Sequence, residues 1–171
     1  MFQDAQVELH RVKLWTPPVS YRLADWVRYL LLGERGATGT SISDFLENEL
    51  LDHVVGNSAY SPPANLYFSL FTAAPSDSGG GTEVSGGAYA RATVAYNLTQ
   101  FPAASGGSKS NANTIQFADA TANWGNITHG GVHDAVTVGN LLFWGALTQA
   151  QTINVGGIFR YLATKASFAL D

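Results

Sequence analysis

The pattern of apolar and polar positions changes period once along the chain, near residue 60. Before it, "SISDFLENELLDHVVGN" repeats at helical spacing, with Phe45, Leu46, Leu50, Val54 and Val55 on one face. Asp44, Glu47, Glu49 and Asp52 take the flanks. Ser41 with Asp44 has the spacing of a capping box, Ser43 is the competing N-cap, and Gly56-Asn57 offers a stop. This predicts a helix over about Ser43 to Val55, packed through Phe45, Leu46, Leu50 and Val54. Leu23, Trp26, Val27, Leu30 and Leu31 predict a shorter one over about 23 to 32. After "SPPAN" the period becomes 2. "LYFSLF", "AYARATVAY", "TIQF", "WGNITHGGVHD" with a bulge or kink at its Gly-Gly, "NLLFWGAL", "QTINV", "IFRYLAT" and "KASFAL" read as short strands. "AAPSDSGGG" and "ADATAN" read as turns and "FPAASGGSKSNAN" as a flexible connection. Regular short strands with no helix between them predict a mainly β domain, an antiparallel β sandwich or small barrel with one N-terminal helix packed on it.

Composition narrows the setting. A chain of 171 residues suits one domain, here residues 41–171, preceded by an N-terminal arm over residues 1–40. Residues 1–40 hold five of the nine Lys/Arg residues, two of the four tryptophans and Pro17-Pro18. Their apolar side chains, among them Trp15, Tyr21, Trp26, Tyr29 and Leu30, are too many to leave in water. They mark an interaction arm that packs on its own domain or, as favoured here, on a neighbour. Charged residues are 13% of the chain, against about 25% in an average soluble domain. Such a weakly charged surface suits a subunit that stays in an assembly. The net charge of −4 supplies no field for nucleic-acid phosphates, so nucleic acid is not an expected partner. With no cysteine there is neither a disulfide nor a thiolate metal site. "WVRYLLLG" is too short for a membrane span, and the opening "MFQDAQVELHRVKLW" lacks the layout of a secretion signal.

Candidate chemistry is sparse. The clusters "SGGGTEVSGG" and "SGGSKS" run into strand-like sequence, and in neither does a lysine follow a glycine at the spacing of a phosphate loop. His129 and His133 of "HGGVHD" would stand about 13 Å apart along a strand, too far for one metal ion. No serine lies in a G-x-S-x-G elbow, and few carboxylates fall in the β region. No catalytic, cofactor or metal residue is therefore assigned, and enzymatic activity is not expected. Tyr67, Phe71, Tyr89, Tyr96, Trp124, Phe143, Trp144 and Tyr161 are read as core and inter-subunit packing in preference to a sugar-stacking face. In "SGGAYAR", Gly86 and Gly87 permit a sharp approach into the strand carrying Tyr89 and Arg91, whose guanidinium can reach an acid or a carbonyl.

Taken in order, "SISDFLENELLDHVVGNSAYSPPANLYFSLFTAAPSDSGGGTEVSGGAYAR", "FPAASGGSKSNANTIQFADATANWGNITH" and "GNLLFWGAL" resemble a family of small tailed-bacteriophage virion proteins labelled tail-fibre-like, over about residues 41 to 150. The resemblance implies a structural role in the virion and carries over no catalytic residue. The expected partners are other virion proteins, capsid or tail subunits, and further copies of the chain. A compact domain with an arm suits capsid cement, a decoration protein or a fibre-like appendage. The alternative is a recognition module for a host-surface receptor or glycan.

Overall fold

A computed structural model describes residues 40–170. The expected helix over 23 to 32 and the arm residues Trp15, Tyr21, Trp26, Tyr29 and Leu30 lie outside the described residues. The fold is mainly β and antiparallel, with one helix among the described residues.

Strand β1 (Ser41–Ile42) leads straight into helix α1 (Asp44–Val55). Ser43, not Ser41, caps the helix. Its hydroxyl accepts the Leu46 N–H at 3.3 Å and donates to the Leu141 carbonyl, so one buried side chain both starts the helix and ties it to a strand. Ser41 is instead paired opposite Trp144. At the far end Asn57 takes a left-handed φ of 58°, and the N–H groups of Gly56 and Ser58 both donate to the Asp52 carbonyl. Packing departs from the expected face. Leu46 is buried and Phe45 and Leu50 are half-buried, but Val54 is 75% exposed. The packing is made by the residues up to Leu50, and the residues from Leu51 to Val55 are exposed.

The main sheet has six strands. Its order is β1, β8 (Leu141–Ile153), β7 (Gly125–His133), β2 (Asn65–Ala73) and β3 (Thr82–Glu83), with β4 (Ala92–Ala95) sharing the β2 edge. Two small ladders, β5 (Ser108–Ser110) with β10 (Ser167–Ala169) and β6 (Ile115–Gln116) with β9 (Arg160–Tyr161), supply the second layer. Aromatic rings join them to the main sheet, where Phe68 of β2 meets Phe101, Tyr161 and Phe168; at the β6–β9 ladder Phe117 meets Phe159 and Tyr161. These rings, with Leu70, Ile127 and Ile153, form the core.

Three local readings are corrected. "NLLFWGAL" and "QTI" form one 13-residue strand, because β7 pairs with both of its ends, from Leu141 to Ala146 and from Gln151 to Ile153, across a register shift that spans residues 147–150. Gly130 and Gly131 are in regular pairing, and the irregularities fall between Ile127 and His129 and between Val132 and His133. The glycines serve close packing: a Cβ on Gly130 would overlap the Tyr161 hydroxyl, and one on Gly131 would meet Phe71 and Ser69 at 2.8 Å. Lastly, "FPAASGGSKSNAN" is anchored. Phe101 is buried, and the buried Asn111 amide donates to the carbonyls of Asn113 and Leu162 at 2.7 and 2.9 Å while its oxygen accepts the Ala166 N–H at 2.8 Å.

Candidate functional site

The part of the chain with the densest polar geometry is the excursion between β3 and β4. The β2 edge is covered by β3 opposite Phe71 and Ala73 and by β4 opposite Asn65 to Phe68, which leaves the N–H of Leu70 to another partner. Tyr89 fills the gap: its hydroxyl accepts that N–H at 2.9 Å and donates to Glu83 Oε1 at 3.0 Å. To bring Tyr89 there the chain turns at Gly86, Gly87 and Ala88, all at positive φ. Gly87 is also pressed against Ala122, where a Cβ would come within 2.9 Å, and its carbonyl accepts Trp124 Nε1–H at 2.9 Å and the Thr121 N–H at 3.0 Å. Pairing begins only at Ala92, so Tyr89, Ala90 and Arg91 form an unpaired lead-in and the strand is shorter than the alternation predicts.

Arg91 then spans two loops. Its Nε and Nη2 donate to the two oxygens of Glu83 at 2.9 and 2.8 Å, and Nη1 donates to the carbonyls of Ala135 and Val138 at 2.9 and 2.8 Å. The side chains are 8% and 25% exposed. This is bidentate pairing in a half-dry site, where a planar guanidinium fits and an ammonium would not. Burial alone would raise the Glu83 carboxyl, but the hydrogen bonds and charge of Arg91, with the Tyr89 hydroxyl, hold it below the usual range. Burial pushes the Tyr89 hydroxyl well above its ordinary value, so it stays a neutral donor.

The loop that Arg91 grips joins β7 to β8. Asp134 closes it by accepting the N–H and the side-chain amide of Asn140 at 2.7 and 2.8 Å. Asp134 is thus a loop clasp. His133 is buried, lies 3.2 Å from the Ser69 hydroxyl and stacks on Phe71. Burial and then the Arg91 charge push it down to about 4, so it is neutral near pH 7. His129 hydrogen-bonds with Thr128 at 2.8 Å and packs near Trp144. The two histidines thus have separate packing partners, and no cluster of three metal-ligating side chains occurs among the described residues.

The aromatics divide by burial. Phe71, Trp124 and Tyr161 are buried, Tyr67, Tyr89, Phe143 and Trp144 half-buried, and Tyr96 exposed. Missing from the sequence reading were Glu83 and Asn111. Glu83 and Arg91 are the only charges between residues 78 and 108, and that isolation was the available signal for their pairing. Asn111, in a polar run, carried no such signal.

The arrangement braces a sheet edge and a loop against each other; its polar groups bind one another. No helix among the described residues is long and apolar enough to cross a membrane. No curated protein matches the chain. Residues 41–169 match the family described as podophage GP4 fiber I protein gp80. This span runs from β1 through the last residue of β10 and takes in the Glu83, Tyr89 and Arg91 brace. The chain therefore belongs to this podophage fibre protein family, and it is a structural protein of the virion.

Proposed function

We propose that the protein is a non-enzymatic accessory subunit that docks on a larger virion assembly, as a fibre-like appendage or a decoration subunit, and associates with further copies of itself. One observation carries this reading. The charged groups of the loop cluster, Glu83, Arg91 and Asp134, are taken up in bracing one another and the chain around them, whereas Leu51, Val54 and Val55 stand exposed at the end of the helix. Contact surface, not reactive chemistry, is what the domain offers outward. Residues 1–40, with Trp15, Tyr21, Trp26, Tyr29 and Leu30, precede the family match and act as the arm that holds the subunit to a neighbour. Deleting residues 1–36 is expected to leave the β domain folded while reducing self-association and retention on the particle. A truncated chain that unfolds, or one that assembles and stays on particles as well as the full chain does, would remove the arm from this role.

A second reading, recognition of a host-surface glycan, is favoured by a groove of about 510 Å³ beside the helix, lined by Phe45, Glu49, Tyr60, Pro63 and Asp134. Aromatic faces with carboxylates suit sugar hydroxyls and CH faces. A glycan array showing binding lost in Tyr60→Ala, with the melting temperature unchanged, would promote it.

A further inference from the structure

Leu51, Val54 and Val55 fall at i, i+3 and i+4, so they form one ridge along the last two turns of α1. They are 60%, 75% and 79% exposed. A single exposed leucine needs no explanation, but three adjoining apolar side chains on a helix end make a patch that water solvates poorly. The helix bearing them has four carboxylates, Asp44, Glu47, Glu49 and Asp52, and no Lys or Arg. A second copy of this helix is therefore a poor occupant, since it would set four like charges against four.

The complement is written in the same chain. Residues 11–31 carry Arg11, Lys13, Arg22 and Arg28 against the single acid Asp25, a net charge of +3. They also carry Trp15, Tyr21, Trp26, Tyr29 and Leu30. Aromatic and aliphatic side chains interleaved with bases match an apolar ridge flanked by acids, the burial supplying affinity and the charges orientation.

We propose that residues 11–31 of one copy dock on the Leu51, Val54 and Val55 ridge of a neighbouring copy. The inference rests on the assembled-subunit reading above and supplies the surface that reading lacks.

The test uses the full-length chain. A photo-crosslinking phenylalanine analogue replaces Val54, isotopically light and heavy copies are mixed before irradiation, and the products are mapped by mass spectrometry. Light-to-heavy crosslinks from position 54 into residues 11–31 are expected. Crosslinks confined to one copy, crosslinks into residues 41–170 of the other copy, or no crosslinks overturn the proposal. In parallel, sedimentation velocity compares the unaltered chain with Val54→Asp/Val55→Asp, whose two positions are exposed enough to leave the fold intact, as checked by circular dichroism. Loss of the oligomer in the variant is expected, together with weakening of the unaltered oligomer as salt rises to about 0.5 M. An oligomer that survives the double substitution overturns this inference but not the proposed function. A full-length chain that stays monomeric and does not associate with particles overturns both.

Discussion

At the scale of single residues, Arg91 is the most connected side chain described. It gives two hydrogen bonds to Glu83 and two to carbonyls of the 134–140 loop, so its loss frees a loop and strands a half-buried carboxylate. Arg91→Ala is expected to destabilise by about 2 to 4 kcal/mol, below the cost of a fully buried pair because Glu83 keeps a quarter of its exposure. Arg91→Lys should recover less than half of that, because an ammonium cannot span the carboxylate and both carbonyls. Urea unfolding of the three proteins decides it, and an alanine variant within about 0.5 kcal/mol of the parent would show the brace to be idle. Gly130→Ala is expected to do more damage than an average surface change. The added methyl has no place beside Tyr161 unless β7 or the ring moves, and the cost should be about 1 to 3 kcal/mol by the same measurement.

At the scale of elements, helix α1 is divided between an anchored first half and an exposed second half. Leu46→Ala should destabilise by about 2 to 5 kcal/mol, since that side chain is 5% exposed in the core. Leu50→Ala, at a half-buried position, should cost only about 1 to 2 kcal/mol, and Val54→Ala should stay within about 0.5 kcal/mol. The gradient is checkable by thermal melts of the three variants. Equal losses along the series would mean that the helix packs over its full length. Ser43→Ala removes both the cap and the bond to Leu141, and at a buried site it should exceed the usual cap loss of about 1 kcal/mol.

At the scale of the whole molecule, stability should fall in acid. His133 faces Ser69 and Phe71, with the Arg91, Glu83 and Asp134 charges around it, and it titrates at about 4 against 6.5 when unfolded. Between those values the unfolded chain binds the proton and the folded chain does not, so stability is full above about pH 6.5 and declines toward pH 4. From pH 7 to pH 4.5 the loss should be about 2 to 3 kcal/mol. Glu83, held below its ordinary range, adds to the loss as pH falls further. Because the described residues share one core, the effect should appear as a lower midpoint of a single transition. His133→Gln should flatten the slope between pH 7 and pH 4.5; a slope unchanged in that variant would assign it to other groups.

Sequence alone determined what depends on neighbours along the chain. The change of period near residue 60 separated helix from strands. Ser43 and Asn57 marked the helix ends because caps and left-handed stops depend on the residues themselves. The long strands β2, β7 and β8 were legible, in whole or in part, from aromatic and β-branched runs, and the two-residue strands β6 and β9 fall inside "TIQF" and "IFRYLAT", though their pairing with each other was not legible. Only tertiary structure decided the rest. Val54 has the spacing of a core residue, yet the packing on the helix stops at Leu50 and leaves it exposed. Gly130 and Gly131 resemble a bulge, yet they are glycine because Tyr161 and Phe71, distant in sequence, press on them. Arg91 meets Glu83 only because the left-handed turn at residues 86–88 folds an eight-residue separation back on itself. Its other partners are carbonyls, which have no residue-type signature that a sequence can display.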